Sequence, residues 1–165
     1  MTGSEQSGFG VSDPNLFRGY PYVLTPLTDC PQHVVQKLVE VVQGLGAIVV
    51  FREPIDHDVE VAMVSHIPHL LAVALTLATQ DTSQGGGAAL ELAGRSFRDL
   101  TRIADSSPDM WKEIMVRNSA AILGGLTLWE QRIKELRECL QQGDGEAIAE
   151  AFRQAHMVRD ALIKQ

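Results

Sequence analysis

Hydrophobic and polar residues form a strand–helix–strand pattern over the first third of the chain. An apolar run at residues 20–24 predicts a short strand, and apolar residues then recur at helical spacing as far as Gly44. The β-branched run at residues 47–51 is typical of a buried strand. Together these elements predict one βαβ unit. Since a single βαβ unit cannot cover both faces of its sheet, residues 1–53 are expected to be part of something larger.

Beyond Pro54 the hydrophobic pattern is helical throughout. Residues 56–79 predict one long helix that is apolar around most of its circumference, which indicates burial in a core or between subunits. Further helices are predicted at residues 88–93, 97–104, 107–118, 129–140 and 148–162. The prediction is therefore a helical domain of about six helices over residues 54–165.

Composition narrows the class of protein. The 165 residues are 45% hydrophobic and 21% charged, which suits one domain, or one domain plus a fragment of another. A net charge of -7 argues against a nucleic-acid partner. The first 20 residues lack a secretory signal, and the most apolar stretch, residues 70–78, is shorter than the ~20 residues that span a bilayer. Cys30 and Cys139 have no metal-ligand spacing, so a reduced cytoplasmic protein without membrane attachment is expected.

Two histidines on the long helix are candidates for chemistry. His66 and His69 are three residues apart and can share a helix face. Pro68 between them is expected to kink the helix and free a carbonyl. Three interpretations stay open: half-buried core histidines, a metal pair that still needs a third ligand, or a site for an anion or a hydroxyl at the helix irregularity.

An arginine-rich helix is a second candidate. Arg95, Arg98 and Arg102 fall roughly on one face, and guanidinium groups suit planar carboxylates, although a solvated basic face is the commoner outcome. Asp99 is spaced from Ser96 as the reciprocal partner of an N-cap.

Two weaker signals complete the candidates. Trp111, in the first turns of a predicted helix, is either a core residue or the wall of a pocket with an N–H to donate. Ser4 and Glu5 lie in a short Gly/Ser loop, for which a disordered N-terminus is the alternative.

Taken together, these segments resemble one family, the prephenate and arogenate dehydrogenases. Asp-His-Asp at residues 56–58, followed by Ser-His-Ile-Pro-His at 65–69, resembles the family's HD…SHLPH helix. Residues 97–111 resemble its F-x-D-x-T-R-I-A…S-x-P-x-x-W segment. Gly-Ser-Glu at residues 3–5, with the Leu-Thr-Pro that ends at Pro26, resembles its HPMAGSE-x-SG…LF…LTP segment. Order and spacing agree from residue 1 to about 118, while the last two helices agree only in character.

The resemblance implies a reaction and a set of roles. The reaction is the NAD- or NADP-dependent oxidative decarboxylation of prephenate or arogenate in tyrosine biosynthesis. Among the substrate-binding residues, Arg102 would bind a substrate carboxylate, and Asp99 would orient Arg102 or its helix. His66 and His69 would line the substrate pocket, and Trp111 would form its wall, in one arrangement from the other subunit. Ser4 and Glu5 would lie at the mouth of the pocket.

The resemblance also implies an architecture. The fold would be mainly α: a helical substrate-binding and dimerisation domain at residues 54–165, preceded at residues 1–53 by a residual βαβ unit of a Rossmann-type, dinucleotide-binding domain. The protein would be a homodimer with the long helix between subunits.

The sequence departs from the family in two places. It contains no G-x-G-x-x-G loop. The family's catalytic histidine lies in the His-Pro that directly precedes the M-A-G-S-E stretch, and this position falls just ahead of Met1. Thr2 occupies the position of the alanine in that stretch. The expectation is an N-terminally truncated form that lacks the catalytic histidine, binds no cofactor, has no metal and is inactive alone. One alternative is a stand-alone helical dimer that binds tyrosine or a related ring acid without catalysis. Another is an oligomerisation domain with a decayed pocket.

Overall fold

The computed structural model describes residues 8–81 and 88–163. Ser4 and Glu5 lie outside the described residues, so their place at a pocket mouth stays a prediction. The described part is mainly helical with one small parallel sheet, which confirms the predicted fold class. By its internal contacts the chain divides into two compact units, Met1–Ile122 and Leu123–Gln165. The predicted boundary between residues 53 and 54 stays a prediction.

The βαβ unit forms as the hydrophobic pattern predicts. Strand β1 (Pro21–Leu24) and strand β2 (Ile48–Phe51) pair in parallel, with Tyr22 opposite Val49, and helix α1 (Gln32–Gly44) connects them. Gly46 makes the turn into β2 with a φ of 78°, which an L side chain rarely adopts.

Much of the apolar surface of this unit is uncovered. Helix α1 buries only Val42, while Val34, Leu38, Val41 and Leu45 form an exposed stripe at helical spacing. A two-stranded sheet is too small to bury such a surface by itself.

The long predicted helix is present but is interrupted in its middle. Helix α2 (Pro54–Val61) leads into a π-helical segment (Ala62–His66) and then into helix α3 (Ile67–Asp81). The cause is Pro68, which has no N–H to donate and whose ring crowds the carbonyl one turn earlier. The wider π turn accommodates it, and the Ile67 N–H reaches back five residues to the carbonyl of Ala62.

Within a single chain this helix is not buried all round, so of the two predicted kinds of burial, in a core or between subunits, only the second stays a prediction. Val64 is 74% exposed and Leu77 56% exposed. The run Pro54–Asp81 has 28 residues and a mean hydropathy of 1.8 in its most apolar window. By length and composition alone it could therefore cross a membrane, and it is the only such helix in the part of the chain that the structure describes. The sequence predicted a long helix over residues 56–79, but the membrane-spanning length was judged only on the shorter apolar stretch at residues 70–78.

The remaining helices complete the two units. The described helices that follow α3 are α4 (Ala88–Glu91), α5 (Arg95–Thr101), a 3-10 turn (Arg102–Asp105), α6 (Pro108–Arg117), α7 (Ser119–Gln142) and α8 (Gly145–Ile163). Asp144 caps α8, because its Oδ1 accepts a hydrogen bond of 2.9 Å from the Ala147 N–H.

Candidate functional site

His69 and Trp111 form a stacked pair at the centre of the candidate site. Their ring centroids are 3.7 Å apart and their planes differ by 26°. His69 Nδ1 donates to the Ser65 carbonyl at 2.9 Å, and since a carbonyl only accepts, this nitrogen carries a proton. The irregular turn around Pro68 therefore orients His69 through a backbone oxygen one turn earlier.

His66 is held in a different way, by a residue distant in sequence. It is buried, and its Nδ1 lies 3.1 Å from Asn118 Nδ2, which also donates to the Asp58 carbonyl at 2.8 Å. Burial lowers the pKa of His66, the neighbouring His69 and His57 lower it further, and Asp58 opposes them. These effects together favour the uncharged imidazole of His66.

Trp111 joins the two histidines. Its ring meets His66 edge-on, with centroids 5.9 Å apart and planes at 81°, while its other contact is the stack with His69. Its Nε1 is buried without a hydrogen-bond partner among the described residues. A buried N–H without a partner is costly, so this indole is suited to a site that another molecule completes.

A cleft of about 360 Å³ opens beside this pair. It lies between α3, the 3-10 turn and α6, and it is lined by His69, Leu70, Val73, Ile103, Ala104, Ser106, Pro108, Trp111, Lys112 and Met115. Most of the lining is apolar, with a few polar groups, which is the usual composition of a small-molecule site. The structure thus brings His69 and Trp111 into one cleft and places His66 in contact with Trp111, outside the lining.

The structure places Arg102 and Asp99 away from the cleft lining. Arg102 is exposed at the start of the 3-10 turn, and its neighbour Ile103 lines the cleft. Asp99 is also exposed and pairs with Arg95 at 3.4 Å. The proposed N-cap role of Ser96 is wrong, because α5 begins one residue earlier, at Arg95, and follows Gly94 without a side-chain cap.

Sequence reasoning missed two polar residues of this region. Asn118 is separated from Asp58 by sixty positions, and no local pattern could have paired them. Lys112 lines the cleft and contacts the Asp109 carboxylate at 3.6 Å. Its position directly after Trp111 could have identified it from the sequence, because a cation beside an aromatic wall suits a ligand that has both a ring and a carboxylate.

The turn after β1 does not suit the pyrophosphate of a nucleotide cofactor. The segment that joins β1 to α1, residues 25–31, contains two prolines and no glycine. A pyrophosphate site at such a turn needs glycines for the close approach of the backbone. Within the described residues there is also no group of three side chains suited to hold a metal ion.

Comparison with known protein families gives a match over most of the helical part. The family model described as the dimerization domain of prephenate dehydrogenase matches residues 53–154. The prephenate dehydrogenase of Bacillus subtilis (strain 168) is 33% identical over 98% of this chain and 44% of its own length. The cyclohexadienyl dehydrogenase of Zymomonas mobilis is 28% identical over 98% of this chain and 56% of its own length. The chain therefore spans about half the length of these relatives.

Solved structures give the same picture. Prephenate dehydrogenase from Aquifex aeolicus in complex with hydroxyphenyl propionate and NAD+ superposes with a TM-score of 0.90 at 28% identity, covering 97% of this chain and 56% of that one. Synechocystis arogenate dehydrogenase superposes with a TM-score of 0.85 at 28% identity, covering 98% of this chain and 59% of that one.

Proposed function

The chain belongs to the prephenate dehydrogenase family, and from this premise we propose that it forms the substrate-binding and dimer-forming part of a prephenate or arogenate dehydrogenase of tyrosine biosynthesis. Its relatives include dehydrogenases named for prephenate, for cyclohexadienyl compounds and for arogenate. The proposed location is the cytoplasm, where a soluble biosynthetic enzyme of this kind would act.

The observation that carries the proposal is the cleft beside the His69–Trp111 stack. Its apolar lining suits the carbon skeleton of a six-membered ring, and the indole offers a flat wall and an N–H without a partner among the described residues. Lys112 supplies a cation at the lining of the cleft, and Arg102 directly precedes Ile103, which is another residue of that lining. We assign a substrate carboxylate to Arg102, because a guanidinium fork matches a planar carboxylate.

The histidines would act on the polar part of the substrate. His69 carries its proton on Nδ1, so a neutral His69 has an acceptor at Nε2 for the hydrogen of a ring hydroxyl. In the family reaction the nicotinamide of NAD or NADP supplies the hydride acceptor. The part of this chain is to bind and orient the ring acid. Asp99, His66, Ser4 and Glu5 keep the supporting roles that the family resemblance implies.

The uncovered apolar surface of α2 and α3 supports a homodimer. Exposed Val59, Val64 and Leu77 lie along one helical run, in the region that matches a dimerization domain. Exposed apolar surface of this extent is typical of a subunit interface.

We propose that these 165 residues alone neither turn over substrate nor bind a nucleotide. The sequence contains no G-x-G-x-x-G loop, and the turn after β1 does not suit a pyrophosphate. A second candidate function is the binding of tyrosine or a related ring acid without catalysis. It is favoured because the chain has a cleft large enough for a six-membered ring and its sequence contains no G-x-G-x-x-G loop for a nucleotide.

A titration tests the proposal. In a Trp129→Phe background, Trp111 is the only tryptophan, and its fluorescence should change as hydroxyphenyl propionate fills the cleft. Arg102→Lys should weaken binding about tenfold or more, since it keeps the charge but loses the fork. The matched control is Arg153→Lys on α8, which should leave affinity unchanged. Absence of saturable binding would refute the proposal, and tighter binding of tyrosine than of hydroxyphenyl propionate or prephenate would favour the second function. Reduction of NAD or NADP by the chain with prephenate or arogenate would refute the inactivity.

A further inference from the structure

Asn118 links two segments that are far apart in sequence, the junction of α6 and α7 and the helical run that holds Asp58 and His66. It lies between α6 and α7, and its Nδ2 donates both to the Asp58 carbonyl at 2.8 Å and to His66 Nδ1 at 3.1 Å. Because a carbonyl oxygen only accepts, the Asp58 contact decides which end of the amide faces the pair. The amide nitrogen therefore faces His66 as well.

This arrangement determines the tautomer of His66. A ring nitrogen that accepts from an N–H cannot itself carry a proton, so a neutral His66 has its proton on Nε2. His69 is the opposite tautomer, since its Nδ1 donates to the Ser65 carbonyl. The two imidazoles contact the same indole. Within the described residues, the structure records no hydrogen bond to Nε2 of either histidine.

We propose that Asn118 is a positioning residue: tied to the Asp58 carbonyl, its amide holds His66 as the Nε2–H tautomer and keeps an uncharged ring against Trp111. His66 is buried, so a charged ring there would lack water, and the edge-on contact with the indole would rearrange. Asn118 thereby holds the Trp111 wall where the cleft needs it. This last step rests on the proposed function, whereas the assignment of the tautomer does not.

The tautomer can be read directly from the ring nitrogens. Histidine labelled with 15N at the ring is incorporated into the purified chain, and proton–nitrogen correlations show which nitrogen is protonated, with His66→Gln identifying the signals. The wild-type chain should show His66 protonated at Nε2. Asn118→Asp is nearly isosteric but presents an acceptor, so the proton should move to Nδ1. Ser119→Ala, at the adjacent exposed position, is the control and should leave the pattern unchanged.

The outcomes separate the two proposals. A wild-type His66 protonated at Nδ1 would overturn the inference without any variant, as would an Asn118→Asp chain that folds and keeps the Nε2–H pattern. In the Trp111 fluorescence titration, Asn118→Ala and Asn118→Asp should weaken hydroxyphenyl propionate binding by about 2- to 10-fold, the range expected for loss of one hydrogen bond. A changed tautomer with unchanged affinity would refute the positioning role. A wild-type chain that shows the Nε2–H tautomer but no binding would refute the proposed function and leave the tautomer assignment supported.

Discussion

Removal of the Trp111 ring should destabilise the protein far more than removal of its N–H alone. Trp111→Ala deletes a half-buried indole, and truncation of a fully buried one costs about 3–5 kcal/mol, so about half of that is expected here. Loss of the 3.7 Å stack with His69 adds about 0.5–1.5 kcal/mol, for a total of about 2–4 kcal/mol. Trp111→Phe keeps an aromatic ring and removes an N–H without a partner among the described residues, so its cost should be about 0–1 kcal/mol.

Urea unfolding followed by far-ultraviolet circular dichroism measures both changes. A fixed protein concentration is needed, because the stability of a dimer depends on it. Trp129→Phe, at a tryptophan that is 37% exposed, is the matched control and should cost less than about 1 kcal/mol. If Trp111→Phe costs as much as Trp111→Ala, the indole N–H has a partner in solution and the reasoning is refuted.

Three further predictions concern the charge of His66, the exposed surface around Val64 and the cap of α8. Burial, His69 and His57 lower the pKa of His66 below its ordinary 6.5 despite Asp58, so the unfolded chain takes up this proton first. The stability contributed by neutral His66 should therefore be fully present above pH 6.5 and should fall as the pH drops towards the pKa of the folded state. The midpoint of urea unfolding, measured as a function of pH, should show this fall. A His66→Gln chain whose midpoint depends on pH with the same slope would contradict the prediction. Val64→Asp should raise the dissociation constant of the dimer about 100-fold or more, as measured by sedimentation equilibrium, and Gln80→Asp is the control. An unchanged dissociation constant would place the interface elsewhere. Asp144→Ala should cost about 1 kcal/mol and speed hydrogen exchange at the start of α8, whereas unchanged exchange would argue against the cap.

The fold was predictable where the signal is local. The β-branched run at residues 47–51 and the stripe that became α8 each form close to their predicted place, whereas α7 begins at Ser119, ten residues before the predicted start at residue 129. The π-helical segment was not foreseen beyond a kink at Pro68, since a proline can be accommodated in several ways and the surrounding packing selects one.

The candidate site was predictable only in part. His69 and Trp111 were separate candidates by residue type, the family resemblance implied one pocket for both, and the structure brings them into one stack. The support of His66 by Asn118 depends on a contact across fifty-two positions, which no helical or strand period encodes. The N-cap at Ser96 was wrong because the helix already begins at Arg95, one residue before Ser96, and a spacing rule cannot choose between neighbouring starts.

The π-helical segment also fixes the angular phase of the helix that follows it. One residue more than an α-helix needs is fitted into Ala62–His66, and each residue of an α-helix turns the chain by about 100°. The wider turn absorbs that residue, so α3 keeps nearly the angle to α2 that an unbroken α-helix would give it. Deletion of one residue within this segment would therefore restore the ordinary winding and leave α3 in phase, but the ring of Pro68 would again crowd the carbonyl one turn earlier. A related gene that lacks one residue here is expected to lack this proline as well.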